Sequence, residues 1–195
     1  MSNLDISPLV AGVDEVGRGC LFGPVVAAAV ILPDAAVTEL FVGGIKDSKK
    51  LTKVGRRRFA TQIWAMAIDC KVGFARVDEI ERLNIFHASL LAMRRAVVKL
   101  RVEPELCLVD GKWPIPNLSM PQQTLIRGDE LSPAIAAASI IAKVWRDDLI
   151  MRFALKYPEY DLAANKGYGT PRHLQALQKH GASRLHRRSF SPCRV

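Results

Sequence analysis

The chain has 195 residues, and its 28 Lys and Arg against 19 Asp and Glu give a formal net charge of +9. Hydrophobic residues make up 49% and charged residues 24%, which is typical of one folded domain and excludes a disordered or collagen-like chain. The longest apolar run, Val25 to Leu32, is far shorter than the ~20 residues of a membrane-spanning helix, and the start of the chain is unlike a secretory signal.

The first half of the chain predicts three strands and two helices. Leu9–Val13 and Val25–Leu32 are apolar runs separated by glycines, so we expect two paired strands. Lys53–Asp69 has apolar residues at helical spacing, and Cys70–Ala75 has the pattern of a strand. Asn84–Leu100 carries an apolar stripe and predicts a second helix.

The second half predicts two strands and two helices. Leu106–Val109 and Gln122–Ile126 are short strand-like runs. Ser132-Pro133 is typical of a helix start, and we expect that helix to run to about Tyr157. Thr170-Pro171 starts a shorter helix through Lys179. This order of elements predicts an α/β fold with a mixed sheet.

Two separated segments carry the positive charge. Lys46–Arg58 has a net charge of +6 and Met151–Val195 of +7, so the rest of the chain is mildly acidic at −4. Such basic surfaces favour a polyanionic partner such as nucleic acid. A solvated charged face is the alternative, and charge alone does not separate nucleic acid from membrane phosphate. A membrane partner is not expected, because no basic amphipathic stretch with bulky aromatics is present.

The four cysteines, Cys20, Cys70, Cys107 and Cys193, are widely spaced. Without a Cys-x-x-Cys pair they indicate neither a disulfide framework nor a thiolate zinc site. We therefore expect a reducing compartment, the cytoplasm. Nothing in the sequence indicates an oligomer, so a monomer is expected.

Acidic residues follow three of the predicted strands. Asp14 and Glu15 follow the first, Asp110 follows Leu106–Val109, and Asp129 comes shortly after Gln122–Ile126. If these strands are parallel, their acids meet at one edge of the sheet, where ligands bind in open α/β folds. Clustered carboxylates repel one another, and a set of oxygen ligands without His or Cys favours Mg²⁺ or Mn²⁺. Two such ions can support cleavage of a phosphodiester.

Each acid also has a simpler interpretation. Carboxylates at strand ends often cap a turn, and Asp129 could act as charge near a helix N-terminus. For Asp147 and Asp148 we expect solvation, or pairing with Arg146 or Arg152.

Other polar residues receive a structural interpretation as well. The Ala134–Ala142 stretch, with Ser139, is expected to pack closely on the sheet. For His173, His180 and His186 in the basic tail, phosphate contact or solvation is favoured over metal binding.

Eight short motifs extend across nearly the whole chain. They are Asp14–Gly19, Lys46–Leu51, Leu83–Ala88, Val109–Gly111, Gly128–Asp129, Ala136–Val144, Lys166–Thr170 and His186–Phe190. Their content and order resemble bacterial ribonuclease HII, the type 2 ribonuclease H. Two positions depart from the family pattern: Cys20 stands where proline is more usual, and Arg127 where lysine is frequent.

The resemblance implies a ribonuclease H-like fold, with a mixed five-stranded sheet flanked by helices. Residues 1–195 would form one domain, with 160–195 a basic helical C-terminal segment packed on it. The implied activity is hydrolysis of the RNA strand of RNA–DNA hybrids, including cleavage 5′ to a single ribonucleotide in duplex DNA. The products would have 3′-hydroxyl and 5′-phosphate ends. Metal ligands and catalytic residues would be Asp14, Glu15, Asp110 and Asp129, holding Mn²⁺ or Mg²⁺, with two ions during catalysis.

The resemblance also implies a set of substrate-binding residues. Gly17, Arg18 and Gly19 match the family's Gly-Arg-Gly loop, and glycines let the backbone approach a ribose whose 2′-hydroxyl distinguishes RNA from DNA. Tyr168 matches a tyrosine at the RNA–DNA junction. Phosphate or supporting contacts are expected from Ser48, Lys49 and Lys143.

Two other classes of function stay open at this point. One is a nucleic-acid-binding protein without catalysis, whose acids are structural. The other is a different metal nuclease on the same fold, such as a junction resolvase, although the Gly-Arg-Gly loop beside the acids argues against it.

Overall fold

The computed structural model describes residues 8–45 and 51–194. Its centre is a five-stranded sheet in the order β3-β2-β1-β4-β5. The strands are β1 (Val10–Val16), β2 (Val25–Ile31), β3 (Asp69–Ala75), β4 (Leu106–Asp110) and β5 (Gln122–Leu125). Strand β2 is antiparallel to β1 and β3, whereas β4 is parallel to both β1 and β5. The mixed sheet predicted from the sequence is therefore confirmed.

Helices cover both faces of this sheet. They are α1 (Asp34–Val42), α2 (Lys53–Met66), α3 (Val77–Val97), α4 (Gly128–Leu131), α5 (Pro133–Ala154), α6 (Leu162–Asn165) and α7 (Pro171–His180). One apolar core lies between the sheet and α3, and a second lies between the sheet and α1, α2 and α5. Consequently every residue of β2 is buried. In the part of the chain that the structure describes, no helix has the length and hydropathy of a membrane span.

The helix predictions need correction at several places. Helix α1 and the short α4 were not predicted, and α5 ends at Ala154 rather than near Tyr157. Helix α3 begins at Val77, seven residues before the predicted start, and contains a kink at Asn84, whose φ is 66°. The Asn84 Oδ1 atom accepts hydrogen bonds from the N–H groups of Phe86 and His87, so Asn84 caps the second half of the helix.

The alanine-rich start of α5 packs directly on β1, as predicted. A Cβ atom at Gly12 would overlap the backbone of Ala134 and Ile135, so only glycine permits this close approach. Ser132 caps the helix by accepting a hydrogen bond from the N–H of Ile135. The packing places the polar Ser139, two turns into α5, near the end of β1.

The C-terminal residues pack on the loop that follows β1. A third apolar cluster joins Leu21 and Phe22 of this loop to Tyr160, Leu177 and Cys193.

The interpretation of His173 and His186 as solvated or phosphate-contacting residues is wrong, because both are buried and their Nε2 atoms are 3.0 Å apart. Only His180 of the three tail histidines is exposed, as expected.

We expect buried His186 to make the free energy of unfolding fall as the pH drops from about 6.5 to 4. Burial, and then neighbouring His173, lower the pKa of His186 from 6.5 to about 4. Over this range the unfolded chain binds a proton that the folded chain does not, so acid favours unfolding. Urea unfolding at pH 7 and pH 4.5 measures the loss. His186→Asn should lose less stability over the same interval, and an equal loss would contradict the assignment.

Candidate active site

The parallel strands β1 and β4 bring three carboxylates together. Val13 pairs with Val109, so Asp14 and Glu15 at the end of β1 lie beside Asp110, the last residue of β4. One ligand oxygen from each of Asp14, Glu15 and Asp110 lies within 4.8 Å of the others. This is the geometry expected for acids at the carboxyl ends of parallel strands.

Local hydrogen bonds orient these carboxylates. Asp110 Oδ1 accepts a hydrogen bond from the Gly128 N–H at 2.7 Å, which joins the end of β4 to α4. Asp14 Oδ1 accepts one from the Glu15 N–H at 2.7 Å, and its carboxyl also interacts with the Ser139 side chain. Arg18 Nη1 lies 3.0 Å from Glu15 Oε1.

Burial of these neighbouring carboxylates is unfavourable, because they carry like charges and lose contact with water. Burial first, and then the charges of Glu15 and Asp110, hold the pKa of Asp14 well above 3.8. Burial also raises the pKa of Glu15 above 4.5, and the charge of Arg18 partly offsets this. A bound cation would remove the repulsion, and a ligand set made only of carboxylate oxygens fits Mg²⁺ or Mn²⁺ better than zinc.

Asp129 lies in the first turn of α4, next to the same site. It is buried and lines the same cleft as the other acids. It is not among the three carboxylates that meet within 4.8 Å, so the described residues form a close group of three with a fourth acid beside it. Arg127, two residues before it, is exposed and pairs with Glu130, so the departure from lysine keeps the positive charge at an exposed position.

The acids lie in a cleft of about 390 Å³. Arg56, Ser139, Lys143 and Tyr168 also line it. Lys143 Nζ lies 2.9 Å from Asp147 Oδ1 and 5.5 Å from the centre of the Tyr168 ring. A basic and an aromatic side chain thus lie beside the acids, a combination that is compatible with contacts to phosphate and to a sugar or base.

Sequence reasoning missed two polar residues of this cleft. Arg56 belongs to the basic segment Lys46–Arg58 but was not distinguished from its neighbours. Ser139 was interpreted only as part of a small-residue helix face, and its single hydroxyl in the Ala134–Ala142 stretch was the available signal. The predicted Ser48 and Lys49 lie outside the described residues.

The Gly17–Gly19 loop contains two glycines in different environments. Gly17 has φ +89°, and a Cβ atom there would overlap the Arg146 side chain. Gly19 is exposed and has no atom within 4 Å of its Cβ position. Gly17 is therefore required by the backbone and its packing, whereas Gly19 leaves open space in which a ligand can approach the chain.

The predicted partners of two acids on α5 are wrong. Asp147 pairs with Lys143, and Asp148 pairs with Arg57, because the α5 face that carries them is turned towards α2 and the cleft. Arg146 is instead fully buried and donates to the carbonyl oxygens of Phe22, Pro24 and Lys166, at 2.9, 3.1 and 2.8 Å.

Solved structures define the class of protein to which this fold belongs. The ribonuclease H2 of Pyrococcus horikoshii OT3 superposes with a TM-score of 0.82 and 27% identity over 95% of each chain. Bst-RNase HIII, solved in complex with Mn²⁺, shares the fold with a TM-score of 0.79 at 20% identity, over 96% of this chain and 68% of its own. The five-stranded sheet and the helices that flank it are thus those of the ribonuclease H-like class of proteins.

Sequence comparison identifies the family within this class. A curated ribonuclease HII from Trichormus variabilis is 61% identical over 191 residues, which cover 98% of this chain and 85% of that protein. The sequence model of the family described as "Ribonuclease HII" matches residues 11–193 of this chain. The chain belongs to the ribonuclease HII family, which confirms the resemblance found in the sequence. It is a metal-dependent hydrolase that cleaves the RNA strand of RNA–DNA hybrids.

Proposed function

We propose that this enzyme also cuts duplex DNA on the 5′ side of a single embedded ribonucleotide. The observation that carries the proposal is the meeting of Asp14, Glu15 and Asp110 beside the Gly17–Gly19 loop, whose Arg18 pairs with Glu15 at 3.0 Å. Phosphodiester chemistry and a loop able to contact one ribose are then adjacent, and no long RNA stretch is needed for recognition.

In this proposal Asp14, Glu15, Asp110 and Asp129 hold two divalent ions, Mg²⁺ or Mn²⁺. When bound, such ions activate water and stabilise the charge on the attacking and leaving oxygens of a phosphodiester. The chain's own part is to orient the ligands through the hydrogen bonds from Gly128 to Asp110 and from Glu15 to Asp14. The expected products carry a 3′-hydroxyl and a 5′-phosphate.

The proposed substrate contacts surround this centre. The backbone of Gly17, Arg18 and Gly19 would contact the ribose, and the half-exposed Tyr168 ring would pack against a sugar at the RNA–DNA junction. Lys143 and Arg56 in the cleft would neutralise phosphates. Ser48 and Lys49 stay proposed phosphate or supporting contacts. All four cysteines are buried and unpaired, which supports the proposed location in the reducing cytoplasm.

A labelled DNA duplex with one ribonucleotide tests the proposal. With Mg²⁺ or Mn²⁺ we expect one cut, immediately 5′ to the ribonucleotide, and extension of the upstream product by a DNA polymerase would verify its 3′-hydroxyl. The all-DNA duplex of the same sequence should stay intact.

Two results would contradict the proposal. Cleavage of a long hybrid without cleavage of the single-ribonucleotide duplex would restrict the enzyme to continuous RNA. Preferential cutting of a four-way DNA junction that contains no ribose would instead favour the resolvase alternative.

A further inference from the structure

The motif His186-Arg187 near the end of the chain has no role in the proposed chemistry, yet both side chains are buried. Arg187 Nη1 donates to the Arg18 carbonyl oxygen at 2.8 Å, and its Nε donates to that of Gly23 at 3.0 Å. The Arg187 backbone N–H donates to the Leu21 carbonyl oxygen at 2.8 Å. These three bonds from Arg187 all end on the segment that begins with the Gly17–Gly19 loop.

His186 begins a second set of bonds, which ends at Tyr168. Its Nδ1 accepts a hydrogen bond from the Ser183 N–H at 3.0 Å, so its Nε2 carries the proton and donates to His173 Nε2 at 3.0 Å. His173 Nδ1 then donates to the Tyr168 carbonyl oxygen at 2.9 Å. The carbonyl acceptor at one end and the N–H donor at the other determine the proton positions along this chain of bonds.

We propose that His186 and Arg187 are positioning residues that hold the Gly17–Gly19 loop and the Tyr168 backbone in a fixed relative position for recognition of a ribose. The inference rests on the proposed role of these two elements in contacting the substrate sugar. The loop and the Tyr168 backbone both need support from neighbouring residues, because each includes or adjoins a flexible glycine with positive φ. These glycines are Gly17 in the loop and Gly167 next to Tyr168.

The energetics of Arg187 support a role beyond packing. Burial lowers the pKa of its guanidinium to about 10, and Nη2 has no hydrogen-bond partner among the described residues. An apolar side chain of similar length would fill this space without the desolvation of a charge. The feature that only arginine supplies is its pair of directed N–H groups to Arg18 and Gly23.

The test compares Arg187→Met with Arg188→Met, which removes the same charge from an exposed neighbour. For each variant we would measure kcat/KM on a ribose-containing duplex, and the inhibition constant of the all-DNA duplex as competitor. For Arg187→Met we expect kcat/KM to fall about tenfold or more while the inhibition constant changes less than about twofold. For Arg188→Met the two quantities should change in parallel. Arg187→Lys, which can reach one carbonyl oxygen, should recover part of the loss.

His186→Asn keeps the proposal testable if Arg187→Met does not fold. Asparagine Oδ1 can still accept a hydrogen bond from the Ser183 N–H, but the side chain cannot reach His173. The substitution therefore breaks the series of hydrogen bonds that leads to Tyr168 and leaves the bonds of Arg187 in place. The same selective loss of kcat/KM is expected. If the folded variants lose nothing, or lose kcat/KM and DNA affinity by the same factor, the motif only packs and the proposal is wrong.

Failure of the proposed function would look different. In that case the wild-type enzyme itself does not cut the single-ribonucleotide duplex, and the comparison is made with an RNA–DNA hybrid as the ribose-containing substrate.

Discussion

Asp14→Asn and Asp110→Asn should each lower the rate of hybrid cleavage by at least about 1000-fold while the chain stays folded and still binds duplex. Each substitution removes one of the three close carboxylates that would hold the metal ions. Asparagine has the same shape without the charge. Because burial and like charges raise the pKa of Asp14, its replacement should leave the free energy of unfolding unchanged or higher.

Single-turnover cleavage, thermal unfolding and duplex binding would be measured for both variants. Asp78→Asn is the matched control, since it removes a charge from an exposed ion pair with Arg76 at the start of α3. The control should retain the wild-type rate. If Asp14→Asn or Asp110→Asn cleaved the hybrid at the wild-type rate, the replaced carboxylate would have only a structural role.

Gly17→Ala and Gly19→Ala should have different effects although they lie in one loop. At Gly17 the new Cβ meets Arg146 and the backbone is held at φ +89°, so we expect a loss of about 2–4 kcal/mol in the free energy of unfolding. At Gly19 the Cβ enters open space, so stability should be unchanged. There the methyl group should lower kcat/KM on a ribose-containing duplex about tenfold or more, as a misplaced methyl does in a fitted pocket.

Chemical denaturation and steady-state kinetics separate these two outcomes. Gly55→Ala in α2, where the neighbouring atoms are in ordinary contact, serves as a glycine control outside the loop. A Gly19→Ala enzyme with full activity would mean that this part of the loop does not approach the substrate sugar.

The acids of the site could be predicted because each follows an apolar strand in the sequence. These acids meet only because β1 and β4 are adjacent and parallel, an arrangement that the sequence alone did not predict. Asp129 shows the limit, since its distance from the others depends on the short α4, which was not predicted. Ser139 could not be assigned, because the face that it occupies depends on how α5 crosses β1.

The buried basic residues show why composition alone misjudged the C-terminal segment. His173, His186 and Arg187 occur among exposed basic residues, and their sequence pattern resembles that of a solvated tail. Their partners are mostly backbone groups, such as the carbonyl oxygen of Arg18, which is 169 residues from Arg187, and the N–H of Ser183. Because every residue carries the same backbone groups, the sequence does not indicate such partners, and the network becomes visible only in the three-dimensional structure.

Local signals explain the errors in helix bounds. The first part of α3 carries charged residues, and Glu79 accepts a hydrogen bond from the Arg76 N–H, a capping signal that the apolar pattern did not show. The left-handed Asn84 then interrupts the helix, so the apolar stripe predicted only its second half.

Diffraction from crystals grown with Mn²⁺, recorded at the manganese absorption edge, tests the central claim most directly. We predict an anomalous peak within coordination distance of carboxylate oxygens from Asp14, Glu15 and Asp110. A fully occupied manganese site elsewhere, with these three side chains unligated, would contradict the account.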